Sequence, residues 1–122
     1  MDFLQPQPSA MPSPPIDIDV RTTKQMLDGG EKFVLLDCRE PAEVAKAKIA
    51  GSIHIPMREI SARLADLNPH KAGRIVVHCH HGGRSLRVTQ FLRQQGFDQA
   101  QNMAGGIDAW SLEIDPSVPR YE

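Results

Sequence analysis

Apolar residues recur along this chain at two periods. Ile16, Ile18 and Val20 alternate with Asp17 and Asp19, the spacing of a short strand. Thr22 to Gln25 then carries the Ser/Thr-x-x-Glu/Gln signature of a capping box and predicts a helix that closes at Gly29-Gly30. Phe33-Val34-Leu35-Leu36 is apolar throughout, as expected of a strand covered on both faces, and it runs into Asp37-Cys38-Arg39-Glu40. Pro41 suits the first position of a second helix, broken by Gly51. Ile53 to Pro56 reads as a third strand, and Ile60, Leu64 and Leu67 mark a helix running to Asn68-Pro69. Ile75-Val76-Val77 is a fourth strand, followed by Leu86, Val88, Phe91 and Leu92 at helical spacing up to a stop at Gly96. Ala100 to Met103 makes a fifth strand. Gly105-Gly106 then opens a short helix with Ile107, Trp110 and Leu112, Trp110 being a core anchor. The tail from Asp115 to Tyr121 shows no period and predicts irregular surface chain.

Strands alternating with helices predict an α/β domain with a mostly parallel five-stranded sheet and helices on both faces. Residues 1–15 hold Pro6, Pro8, Pro12, Pro14 and Pro15 among Gln, Ser and Ala, and predict a disordered, proline-rich arm; the folded domain is expected over 16–122.

Composition narrows the function classes. Fourteen Lys and Arg nearly balance fifteen Asp and Glu in 122 residues, so no global field draws the chain to nucleic acid or an anionic membrane. The local balance differs: from Leu67 to Phe97 there is no carboxylate side chain, while Lys71, Arg74, Arg84, Arg87, Arg93 and four histidines are present. That stretch predicts a small anionic substrate. Two cysteines are too few for a disulfide framework and point to reactive thiols in a reducing, cytoplasmic setting.

The candidate chemistry lies within His78-Cys79-His80-His81-Gly82-Gly83-Arg84-Ser85. Cys79 falls where a strand ends and a glycine turn feeds a helix. Free N–H groups and the positive end of the helix dipole gather at such a point and favour a thiolate. Gly82 and Gly83 supply backbone angles other residues resist. In open α/β sheets ligands sit beyond the carboxyl ends of the strands, where both Cys79 and Asp37-Cys38 lie. A buried structural cysteine beside an ordinary turn is the competing account. Zinc is disfavoured: consecutive Cys79, His80 and His81 cannot readily converge on one tetrahedral ion, and no second ligand pair occurs at the usual spacing. No metal or cofactor is expected. His54, in a strand, and His70, in a turn, are expected to have no chemical role.

Three motifs together resemble the single-domain rhodanese family. They are Asp37 to Glu43 running on to Gly51-Ser52-Ile53-His54-Ile55-Pro56, Cys79 to Ser85, and Asn102 to Trp110. The likeness covers about 16–112, and the tail from Asp115 to Tyr121 resembles the C-terminus of rhodanese domains fused to sulfur-carrier-activating enzymes. Two departures stand out: Ala47-Lys48-Ile49 where the family often has Gly-His-Ile, and Cys38 where valine is common.

The resemblance implies a sulfurtransferase. Cys79 takes a sulfane sulfur from thiosulfate or a related donor as a persulfide. It passes the sulfur to cyanide in an assay, or to a thiol or a sulfur-carrier protein in the cell. His80, His81, Gly82, Gly83, Arg84 and Ser85 form the substrate loop, with Arg84 either holding donor oxygens or bracing the loop. Asp37, Arg39 and Glu43 support the site as an ion-pair group. Cysteine phosphatases and arsenate reductases sharing this fold are the alternative, but they separate cysteine and arginine by five residues, and only His80 to Gly83 intervene here. A non-catalytic scaffold module is the other; it usually lacks the cysteine. Some of these phosphatases pair the catalytic thiol with a second one at the Asp-Cys-Arg position, which makes Cys38 a possible redox partner of Cys79.

Overall fold

A computed structural model describes residues 13–122. Five strands form one sheet: β1 (Asp17–Ile18), β2 (Val34–Asp37), β3 (Ile53–His54), β4 (Ile75–His78) and β5 (Ala100–Met103). Their order is β1-β5-β4-β2-β3, and every neighbouring pair is parallel. The expectation of a mostly parallel sheet is therefore met in full. The helices are α1 (Val20–Asp28), α2 (Pro41–Lys46), α3 (Leu64–Leu67), α4 (Gly83–Gln94) and α5 (Gly106–Glu113).

The strands alternate between two cores. Leu36, Cys38, Ile75, Val77 and Cys79 pack with Val88, Leu92 and Phe97 on one face. Leu35 and Val76 pack with Met26, Met103, Ile107 and Trp110 on the other. A sheet covered on both sides explains why β2 and β4 read as unbroken apolar runs. Trp110 is buried, as expected.

Local structure departs from the sequence reading at four places. The first helix begins at Val20, with Asp19 as its N-cap accepting from the Thr22 N–H at 2.7 Å, so β1 is cut to two residues. Starting there turns Val20, Thr23 and Met26 inward together, which a start after Thr22 would not do. The capping box that forms is instead at Glu40, with Glu43, opening α2 behind Pro41. Between β3 and β4, Met57–Glu59 and Asn68–His70 are 3₁₀ turns around the single α-turn of α3, so no continuous helix spans Ile60 to Leu67.

The fourth departure is the tail. Its course is irregular and mostly exposed, as expected, but Val118 is buried in the second core and Tyr121 reaches back to α2 and the loop after β4, so the segment is anchored at two points. At the other end, the carbonyls of Pro14 and Pro15 accept hydrogen bonds from Arg93 and Gln101. The rest of the proline-rich arm, 1–12, lies outside the described residues. Among the described residues no helix is long and apolar enough to cross a membrane.

Candidate active site

β4 ends at His78, and the chain then turns through Cys79 to Gly82 into α4. Gly82 is the N-cap, at φ 112°, where a Cβ would also press on the Gly105 nitrogen. Gly83 differs from the expectation. It is an ordinary helical residue with open space around its Cα, so its backbone makes no demand for glycine.

The turn wraps its donors around the Cys79 sulfur. The Gly82 N–H lies 3.1 Å from Sγ and the Ser85 hydroxyl 3.3 Å. Burial pushes the thiol up, but hydrogen bonding from Ser85 and from the Gly82 and Arg84 amides outweighs it, and the net direction is below the ordinary cysteine range. Residue 79 is only 1% exposed. The glycine pair Gly105-Gly106 is what seats the turn. Both adopt positive φ, and a Cβ on Gly106 would come within 2.6 Å of the Cys79 carbonyl oxygen and closer still to that of His80. With no side chain there, the first amides of α5 reach the loop: Ile107 N–H donates to Cys79 O at 2.9 Å and Asp108 N–H to His80 O at 3.1 Å.

Arg84 is a brace. Its two terminal nitrogens donate to the two Glu43 oxygens at 2.7 and 2.8 Å, tying the start of α4 to α2. These bonds pull the Glu43 carboxyl down to about 2 despite partial burial. Glu43 also accepts from the Tyr121 hydroxyl at 2.8 Å, and that hydroxyl accepts from Arg39 Nη1 at 3.0 Å.

Asp37 and Arg39 form a fully buried fork, with Arg39 Nε 2.9 Å and Nη2 2.7 Å from the two carboxylate oxygens. Burial raises the Asp37 pKa, but the Arg39 bonds prevail and hold it below the usual carboxylate range. The remaining Arg39 donors meet the Glu43 and Ala47 carbonyls, so no buried cation is left unsatisfied. Asp37, Arg39 and Glu43 thus lie in one group, but as two ion pairs, Asp37 with Arg39 and Glu43 with Arg84, linked through the Tyr121 hydroxyl. His54 has a structural contact, its Nε2 lying 2.6 Å from the Arg39 carbonyl, and His70 is exposed in its turn.

His80 stacks between His81 (ring centroids 3.9 Å apart) and Tyr121 (4.0 Å). Burial, reinforced by His81, shifts the His80 pKa downward, so it holds a proton less readily than a free histidine. Asp108 approaches the pair, with His81 Nε2 3.9 Å from a carboxylate oxygen, but this aspartate is engaged by Arg120 at 2.8 Å. His80, His81 and Asp108 each bring one potential metal-ligand atom within 4.8 Å of the others, and the Arg120 guanidinium on that carboxylate competes with a cation there.

Cys38 sits directly beside the nucleophile candidate. Asp37 pairs with His78 in the parallel register, and the next position on each strand is a cysteine buried in the same core. Both thiols are free, and burial, with the neighbouring Cys79, pushes the Cys38 thiol up. The residues the sequence reading missed are Asn102, Gly106 and Tyr121. Asn102 and Gly106 lie inside the third motif, and Tyr121 lies in the tail that shares in the family likeness, though no period or spacing marks it.

An all-parallel α/β sheet with a cysteine loop at a strand's carboxyl end defines a class of nucleophile-bearing domains. Within that class, the family profile for the rhodanese-like domain matches residues 19–113. A sulfurtransferase of Allochromatium vinosum is 35% identical over 102 residues, covering 84% of this chain and 94% of the relative. The rhodanese-like/PpiC domain-containing protein 12 of Arabidopsis thaliana chloroplasts is 42% identical over 91 residues, 71% of this chain but 30% of that longer protein. The crystal structure of SSP1007 from Staphylococcus saprophyticus superposes with a TM-score of 0.71 at 32% identity, covering 85% of this chain and 97% of the other. The chain belongs to the rhodanese-like family.

Proposed function

We propose that this chain is a sulfurtransferase that carries a sulfane sulfur on Cys79. The thiolate attacks the outer sulfur of thiosulfate or a related anionic donor. The donor's S–S bond breaks, and sulfite leaves with the electron pair. A second thiolate, or cyanide in an assay, then attacks the terminal sulfur and returns Cys79 as the thiolate. Sulfite is a stable anion, so no general acid is needed. In the cell the acceptor is a thiol or a sulfur-carrier protein, in a reducing cytoplasm that keeps both cysteines free.

The observation carrying this reading is the ring of donors on the Cys79 sulfur within a braced loop. The same N–H groups suit a bound donor and then the persulfide anion, and they need no reorganisation to do so. On this reading His80, His81, Gly82 and Gly83 line the donor's approach, while Arg84 acts through Glu43 by tying the start of α4 to α2. That engagement weighs against a phosphatase, which needs its arginine turned into the loop to hold a phosphoryl group.

The test is intact mass and peptide mapping after incubation with thiosulfate. One added sulfur on the Cys79 peptide, removed by cyanide and absent in Cys79→Ala, is the expected result. Aryl phosphate hydrolysis lost in Cys79→Ser, with no sulfur uptake, would establish the phosphatase instead.

A further inference from the structure

The hydroxyl of Ser85 faces two partners and has one hydrogen to give. It lies 3.3 Å from Cys79 Sγ and 2.5 Å from Asn102 Oδ1. Which way the Asn102 amide points is decided on its far side, where Nδ2 donates to Asp17 Oδ1 at 3.0 Å. A carboxylate accepts and cannot donate, so the amide nitrogen is fixed towards β1 and the amide oxygen towards Ser85. That oxygen needs a donor, and Asn102 is 3% exposed, so water does not readily replace one. While Cys79 is a thiol the hydrogen of Ser85 therefore goes to Asn102 and the thiol meets the Ser85 oxygen lone pairs; donation from Ser85 to the sulfur is drawn only by the thiolate.

This orientation distinguishes the states of Cys79. As a thiol, Cys79 donates S–H to Ser85 Oγ, Ser85 donates to Asn102, and every group is satisfied. With a sulfane sulfur attached, Sγ has neither a proton nor the charge, and the Ser85 hydrogen again stays with Asn102. Only the free thiolate calls the hydrogen away, and it then leaves Asn102 Oδ1 buried without a donor.

Resting on the sulfur-carrier reading of Cys79, we propose that Asn102, oriented by Asp17, is a positioning residue. By claiming the Ser85 hydrogen it opposes the free thiolate and favours the thiol and the sulfur-loaded form. The other charged or titratable groups around Cys79 are Cys38 just beyond the end of β2, Arg84 on α4 and the adjacent His80, whose carbonyl takes the N–H of Asp108 on α5. Arg84 is tied to Glu43 and Asp108 to Arg120, and Cys38 stays protonated in its buried position. His78, on β4 itself, belongs to the opposite face of the strand and lies against Ser52. The amides of the loop remain the constant donors to Sγ, and the Ser85 hydroxyl is the variable one.

Asp17 is exposed, which allows the relay to be reversed without emptying the core. In Asp17→Lys the ammonium can only donate, so the Asn102 amide turns its oxygen outward and its nitrogen to Ser85 Oγ. The Ser85 hydrogen is then free for Sγ. The readout is the pH midpoint of Cys79 alkylation by iodoacetamide, followed on the Cys79 peptide. It needs no sulfur transfer and so stands apart from the reading of function. The midpoint is expected to fall by about one pH unit in Asp17→Lys, the scale of one hydrogen bond to a charged sulfur.

In a Ser85→Ala background the same substitution is expected to produce no shift, because the relay is absent. The loaded Asp17→Lys protein should also release its sulfur to cyanide several-fold faster, since Cys79 becomes the better leaving group. An unchanged midpoint in Asp17→Lys overturns the inference. So does a shift that survives in Ser85→Ala, which would assign it to the added charge acting through space. Failure of the wild type to take sulfur from thiosulfate would strike at the proposed function and leave the alkylation comparison to decide the hydrogen-bond chain.

Discussion

His78 should make this fold sensitive to mild acid. Its side chain is fully buried at the end of β4, with Nε2 3.2 Å from the Ser52 hydroxyl and Nδ1 without a hydrogen-bond partner among the described residues. Burial pushes its pKa from 6.5 down to about 4, against the pull of Asp37. The folded value lies below the unfolded one, so the unfolded chain binds the proton first and stability falls as pH drops through 6.5 towards 4. Across the whole window the loss is about 3 kcal/mol, from roughly 1.4 kcal/mol per pH unit. Between pH 7 and 5 it is roughly 2 kcal/mol, a large part of the 5–15 kcal/mol of a typical domain. Asp37 and Glu43 also have lowered values, but their contributions are lost only below the ordinary carboxylate range, so they do not fill this window. Urea unfolding followed by the single tryptophan, Trp110, at pH 7 and 5 gives the measurement. His78→Asn is expected to be less stable at pH 7 yet to lose about 2 kcal/mol less than wild type between the two pH values. Equal losses in the two proteins would refute the assignment.

Three further outcomes follow from the site. Gly106→Ala should cost about 3 kcal/mol in urea unfolding and at least tenfold in sulfur uptake, because its Cβ meets the Cys79 and His80 carbonyls; Gly83→Ala, with open space and helical angles, should be neutral or stabilising by up to about 1 kcal/mol. Glu43→Gln should cost roughly 1–2 kcal/mol and weaken donor binding by loosening Arg84, and it should flatten the stability loss that wild type shows as pH falls from 4.5 towards 2. Peroxide followed by reductant should restore wild type more fully than Cys38→Ala, if a Cys38–Cys79 disulfide intercepts the Cys79 sulfenic acid; equal recovery would remove that role from Cys38.

The parallel sheet was legible because β2 and β4 carry short apolar or β-branched runs and helix-forming stretches separate the strands, although β5 is half polar. Once order and hand were set, strand ends gathered Asp37, Cys38 and Cys79 at one edge. What the sequence concealed depends on contacts remote along the chain. Asp19 and Thr22 can both cap a helix, and only the burial of Val20 decides between them. Gly82 and Gly83 look alike in a one-dimensional reading, yet only Gly82 adopts a left-handed conformation. The tail has no period because nothing periodic holds it: Val118 fills one gap in a core, Arg120 reaches Asp108 and Tyr121 reaches Glu43.

Those remote contacts converge on four sides of one short loop. Glu43 of α2 holds Arg84, the first amides of α5 hold the carbonyls of Cys79 and His80, Asn102 of β5 holds Ser85, and Tyr121 of the tail stacks on His80. A loop offering several N–H groups to a single sulfur gathers partial positive charge that would drift towards water if the backbone were free. Fixing it in advance lets these dipoles act on the anion as it arrives rather than after a rearrangement. The braces come from four separate segments, so a change at any one is expected to reach the sulfur through the loop's geometry rather than through direct contact. That is the physical reason the motif around Cys79 is short while the set of residues needed to make it work is not.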